Sequence, residues 1–163
     1  MRMRFAVAVA LTVAMLTPAV CLAEPSSPAA DPVRQPPAEG SAESEFNRGV
    51  RARVAKDWST AVAAFRDAIN ARAAFPEAWN ELGYALRNQG RYVESLQAYD
   101  EALRLRPNFP EALEYQGEAY VLMGRLDDAR RVLERLGALD AERAHELAEV
   151  IQKSKVTPRT STP

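Results

Sequence analysis

The chain has 163 residues, 47% of them hydrophobic, with 21 Lys and Arg set against 22 Asp and Glu for a net charge of −1. That length supports one domain. The even charge offers no basic excess for nucleic acid, and a single Cys and a single His exclude a metal site built from those ligands.

Residues 1–23 are unlike the rest. Arg2 and Arg4 make a basic start, positions 5–16 are almost wholly apolar, and Pro18 breaks the run. Cys21 and Ala23 then put small residues where a signal peptidase reads. The pattern predicts a secretory signal peptide cleaved after Ala23. The apolar run falls short of the roughly 20 residues that a spanning helix needs. An uncleaved membrane anchor and a lipidated Cys21 are the alternatives; Pro18 and Val20 stand where a lipoprotein signal carries Leu and a small residue. Cleavage leaves no cysteine, so no disulfide can form even in an oxidising compartment. It also leaves 19 basic residues against 22 acidic ones. A composition rich in Ala and Arg and poor in Lys suggests a GC-rich bacterial gene, so the expected location is periplasmic or secreted.

Residues 24–41 carry Pro25, Pro28, Pro32, Pro36 and Pro37 among Ser, Ala and Gly. That composition builds no packed element and reads as a Pro-rich linker. Pro25 and Pro28 match the P-x-x-P ligand pattern, which spacer composition alone explains.

Helical periodicity begins at residue 42. It is clearest over residues 76–107, where Trp79, Leu82 and Leu86 share one helix face and Tyr92, Leu96, Tyr99 and Leu103 share a second. Gly90 suits a left-handed helix stop. Pro76 fits a first turn, and Pro107 cannot continue the second helix. Gly83 and Ser95 are small and let the two helices approach closely. A shift of 34 residues finds the pattern downstream in Pro110, Leu113, Gly117, Ala119, Tyr120, Gly124, Ala129 and Leu133. Upstream it finds Gly49, Trp58, Ala61, Phe65 and Ala68, with Arg51 where a small residue is preferred. Second helices are predicted at 58–72, 91–106 and 126–136. Asp140 reads as the N-cap of a last helix over 141–152. There Ala144, Leu147, Ala148 and Ile151 form one narrow apolar stripe, as a solvent-facing end requires. Residues 154–163 are polar and expected to be disordered.

Trp79, Leu82 and Gly83, followed by a small residue, an aromatic and a terminal Pro at fixed offsets, resemble the tetratricopeptide repeat (TPR) family. The resemblance implies an all-α fold. It would be an α-solenoid of three TPR helix hairpins (42–75, 76–109 and 110–141) plus a C-terminal capping helix, in a TPR domain spanning 42–153. It also implies that the first helix of each hairpin lines a concave groove. The groove places hold Glu43, Phe46, Asn47, Val50, Arg53 and Val54, then Glu77, Asn80, Glu81, Tyr84, Arg87 and Asn88. The third hairpin supplies Glu111, Glu114, Tyr115, Glu118, Val121 and Leu122. Of these, Asn47, Val50, Arg53, Asn80, Tyr84, Arg87, Asn88, Glu114, Tyr115, Glu118, Val121 and Leu122 are the expected peptide-binding residues. Tyr and Arg make strong contacts, and Asn pairs with extended backbone. The charge is expected to be uneven, with Arg53 and Arg87 in the first two hairpins and Glu111, Glu114 and Glu118 in the third. TPR domains that grip chaperone C-termini use a clamp of Lys, Asn, Asn, Lys and Arg. The matching places here hold Phe46, Val50, Glu81, Glu111 and Tyr115, and the two acidic residues would repel a carboxylate.

The motifs carry no catalytic chemistry. His145, flanked by Glu142 and Glu146, has no Ser or Cys nucleophile and no second metal-ligating His or Cys with it. The glycines fall at helix contacts and ends, not in a phosphate loop. Trp58, Trp79, Tyr92, Tyr99 and Tyr120 read as core. The reading is a non-enzymatic scaffold or assembly factor of the bacterial cell envelope that binds a protein or peptide through the groove. No nucleic acid, small-molecule substrate, cofactor or metal is expected. A weakly self-associating structural module, or an adaptor anchored by its N-terminus, is the alternative.

Overall fold

The computed structural model describes residues 38 and 40–156. The expected signal at 1–23 with Cys21, nearly all of the linker and the tail from 157 lie outside them. Seven helices and no strand occur among the described residues: α1 (Ala42–Val54), α2 (Trp58–Ala71), α3 (Pro76–Asn88), α4 (Tyr92–Leu105), α5 (Pro110–Leu122), α6 (Leu126–Gly137) and α7 (Ala141–Val156). Each packs on its neighbours in sequence, and α7 lies against both α5 and α6. This is the all-α solenoid that the repeat pattern implied. The last helix runs to Val156, beyond the expected end at 152.

Local chemistry sets the helix ends. Ser41 caps α1 by accepting the Ser44 amide at 3.1 Å, and Asp57 caps α2 by accepting that of Thr60 at 3.1 Å. α3 and α5 have no side-chain cap, and both open on proline. Proline brings no amide proton to a turn whose first donors lack helical partners. The turns inside the hairpins need one left-handed residue each. Gly90 and Gly124 supply it at φ 75° and 74°, and Lys56 takes the same place in the first hairpin at φ 58°.

Small residues make the hairpins close. Ala61, Ala64, Ala68, Ala78, Ala85 and Ala102 are fully buried, which lets helix axes approach without long side chains between them. The Ser95 hydroxyl donates to the Gly83 carbonyl at 2.8 Å, as the pairing of those two small residues suggested. The space beside Gly83 belongs to another residue, however. A Cβ there would lie 2.6 Å from Cε1 of Tyr99, and one at Gly49 would lie 2.5 Å from Cε1 of Phe65.

The junctions between hairpins repeat as well. Arg72 ends α2 and Arg106 ends α4, both in near-extended backbone. The Arg72 guanidinium lies 3.8 Å from the Phe75 ring centre and pairs with Glu43 at 2.5 Å. Arg106 lies 4.6 Å from the Phe109 ring centre and pairs with Glu77.

Candidate functional site

α1, α3, α5 and α7 place their groove-position side chains together. Tyr84 of α3 and Tyr115 of α5 stack at 5.1 Å between ring centres. Trp58 meets Tyr84 edge-on at 6.0 Å, and Tyr99 meets Tyr115 at 6.3 Å. Two residues read as core from their spacing thus touch the groove tyrosines. Arginines lie over these rings: Arg53 sits 5.6 Å from the Tyr84 centre, and Arg87 is 5.1 Å from both Tyr84 and Tyr115. Such cation–π contacts stabilise modestly and hold the guanidinium flat on the ring.

The same arginines bridge one hairpin to the next. Arg53 stands 3.1 Å from Glu81, Arg87 bonds Glu118, and Arg143 of the last helix bonds Glu114. The uneven groove charge expected from the sequence is therefore modified. Glu114 and Glu118 do not form a free acidic end, because each holds a guanidinium from a neighbouring helix. Arg143 was no candidate in the sequence; it entered because α7 lies against α5 in the place of a further hairpin's first helix.

The other expected residues divide by accessibility. Asn47, Asn88 and Leu122 are exposed, and Val50, Arg53, Tyr84, Arg87, Tyr115, Glu118 and Val121 are half-buried. Asn80 and Glu114 are buried, at 1% and 6% exposure. Those two were expected as contact residues, yet neither offers an open surface, since packing covers the one and Arg143 the other. Asn88 donates to the Tyr84 carbonyl at 2.9 Å, so one of its amide protons is already in use. A cavity of about 310 Å³ lies at the third-hairpin end, lined by Arg87, Asn88, Glu118, Val121, Leu122 and Val150. Val150 comes from α7, which the groove mapping did not include. A larger hollow of about 390 Å³ lies among α2, α3 and α4, lined in part by Trp79, Leu82 and Leu86 and bordered by the Arg66–Glu94 pair at 3.4 Å.

Burial governs the proton affinities here. Burial raises the Glu81 carboxyl above its ordinary value; Arg53 opposes this, and nearby Glu111 adds to it. Burial likewise raises Glu114 despite the hydrogen bond from Arg143. Tyr115 is pushed up to about 12, by burial first and then by Glu111, Glu114 and Glu81. Buried Tyr99 is also raised. His145 is exposed and lies 3.5 Å from Glu149. No helix among the described residues is long and apolar enough to cross a membrane.

Comparison with known proteins fits this geometry. A tetratricopeptide repeat pattern matches residues 76–109, and a second tetratricopeptide repeat pattern matches residues 94–144. The chain belongs to the tetratricopeptide repeat family. No curated protein sequence matches it. Among solved structures, the TPR2B domain of yeast Sti1 in its pHsp70 complex superposes with a TM-score of 0.66 at 22% identity, over 71% of this chain and 96% of that one. The second TPR domain of human RPAP3, in complex with the HSP70 peptide SGPTIEEVD, gives 0.64 at 22% identity, over 70% and 94%. The TPR domain of Arabidopsis OM64 gives 0.65 at 18% identity, over 69% and 94%. At these identities the likeness is one of fold.

Proposed function

We propose that this TPR protein is a non-enzymatic scaffold that binds a protein or peptide segment along the face of α1, α3, α5 and α7. The observation that carries the reading is the Tyr84–Tyr115 stack with arginines laid across it. Aromatic rings and guanidinium groups make strong interface contacts at small entropic cost. That two of the structural neighbours are complexes with Hsp70 ligands supports a peptide ligand. The ligand here is of another kind, because two of the places that a carboxylate clamp fills with Lys and Asn hold Glu81 and Glu111.

The setting we propose is the bacterial cell envelope, and it rests on the signal-like residues 1–23 alone. Crosslinking in the native envelope followed by recovery of the chain tests the binding reading. A specific partner should be captured by the wild-type protein and lost with Tyr84→Ala. Capture that is indifferent to Tyr84→Ala places the binding surface elsewhere. Intact mass of the exported protein tests the setting: loss of residues 1–23 is expected, and a retained N-terminus or an acylated Cys21 contradicts it.

A further inference from the structure

We propose that the partner segment carries a cationic side chain, arginine or lysine, that seats beside Glu111 and Glu81 against the Tyr115 ring. This deepens the groove reading and rests on it.

The charge on this face is unbalanced where the second hairpin meets the third. Arg53, Arg87 and Arg143 are each committed to a glutamate of a neighbouring helix. Glu111 has no cation within ion-pair distance among the described residues. Yet Glu111 lies close enough to act electrostatically on Glu81, Tyr115 and Arg143. Glu146 likewise acts on Glu114. The face thus collects Glu81, Glu111, Glu114, Glu118 and Glu146 around three guanidinium groups.

A second observation is independent of charge. Asn80 is 1% exposed, and its side-chain Oδ1 has no hydrogen-bond partner. It stands one helical turn from Tyr84 and so shares that residue's face. Glu81 Oε2 is also buried without a hydrogen bond, because its 3.1 Å approach to Arg53 is not aligned as one. Both atoms are acceptors. Buried acceptors left without donors are unfavourable, and a guanidinium or ammonium group brings donors alone.

The chain itself shows how such a group would sit. Arg87 lies 5.1 Å from the centre of the Tyr115 ring while its guanidinium bonds Glu118. Tyr115 with Glu111 and Glu81 offers the same pairing of ring and carboxylate, without a guanidinium of its own. An acidic segment would instead meet an unneutralised carboxylate. An apolar one would leave the acceptors unsatisfied. No group of His, Cys, Asp and Glu that could hold a metal ion occurs among the described residues, so the cation is an organic one.

The experiment uses the full chain and two short fluorescein-labelled peptides of Ala and Leu. One carries arginines and the other glutamates at the same places, and binding is read by anisotropy at low and physiological salt. The arginine peptide should bind, and more tightly at low salt. Glu111→Lys should weaken it about tenfold or more, equivalent to about 1.4 kcal/mol. Glu111→Gln should weaken it less, and Glu101→Lys, on α4 beside Arg104, should leave it unchanged. Circular dichroism confirms that each variant is folded. Equal weakening by Glu111→Lys and Glu101→Lys would mean general charge attraction and would overturn the inference. So would tighter binding of the glutamate peptide, or binding of neither. If the glutamate peptide binds and Tyr84→Ala releases it, the groove reading stands while the cationic partner falls.

Discussion

The first two hairpins and the third solve one packing problem in two ways. In α1 and α3 the close-approach glycine receives an aromatic ring from the second helix of its own hairpin: Phe65 on Gly49, Tyr99 on Gly83. The position 34 residues beyond Tyr99 is Leu133, which is only half-buried. Gly117 is filled instead by Leu147 of α7, whose Cδ2 would lie 2.5 Å from an added Cβ. The junction chemistry changes at the same point. Arg72 and Arg106 stack on the Phe that opens the next hairpin. Asp140, at the equivalent place, accepts the Arg143 amide at 3.1 Å and starts α7. A solenoid of this kind must end somewhere, and an exposed last hairpin would leave apolar surface in water. Here the terminal helix ends it by taking over the filling role of the aromatic ring.

The largest test removes that filling. Leu147 is fully buried, so Leu147→Ala should cost about 2–5 kcal/mol. Half-buried Leu133, which holds the repeat position, should cost about 1 kcal/mol when cut to Ala. Thermal or denaturant unfolding separates the two. Equal losses would mean that α6 and not α7 supports α5.

Next in size is the glycine itself. Gly83→Ala drives a methyl into the ring of Tyr99, which is fully buried and has little freedom to yield. Overpacking of this kind costs about 1–3 kcal/mol. Gly117→Ala meets the end of a leucine, which can rotate, and the helix gains about 1 kcal/mol from losing glycine. The melting temperature should fall clearly with the first substitution and stay near wild type with the second. A matching fall in both would erase the distinction between hairpins.

The sequence made the helix pairs legible because their signals are local or strictly periodic. Pro76 and Pro110 open helices, Gly90 and Gly124 close them, and the apolar residues recur with the helical period. What it concealed depends on long-range placement. α7 abandons the 34-residue register, so nothing in the pattern tied Leu147 to Gly117 or Arg143 to Glu114. The Arg53–Glu81 and Arg87–Glu118 pairs stand 28 and 31 residues apart, two separations that share no period. A groove listed one residue at a time gave the right face but missed that its charges answer one another. Asn80 was legible as a groove position and illegible as a buried one, since burial depends on the neighbouring helix.

A smaller effect sharpens the comparison at the hairpin turns. Lys56 holds φ 58° where Gly90 and Gly124 hold 75° and 74°. A side chain in that region is strained, and glycine is not. Lys56→Gly should therefore stabilise the first hairpin by about 0.5–1 kcal/mol after the entropy of the more flexible unfolded chain is included. Hydrogen exchange should slow in α1 and α2 more than in α5 and α6. A loss of stability would mean that the lysine side chain contributes more than its backbone costs.

The smallest expected effect lies where the first hairpin meets the second, at Glu81. Burial holds its carboxyl above the ordinary value in spite of Arg53. An acid raised in the folded state favours folding while it is neutral. That contribution is fully present below the unfolded value near 4.5 and is lost as pH rises through the folded value. Glu81→Gln fixes the neutral form. Its melting temperature relative to wild type should be level in acid and should rise as the pH passes from about 4 toward neutrality. Asn88→Ala, exposed on the same helix, should stay within about 0.5 kcal/mol of wild type at every pH. If Glu81→Gln instead loses stability toward neutral pH, the Arg53 pair outweighs burial and the carboxylate is structural. If the gain appears, the fold keeps a charged carboxylate on this face at its own expense, which is what a site that must meet a cation requires.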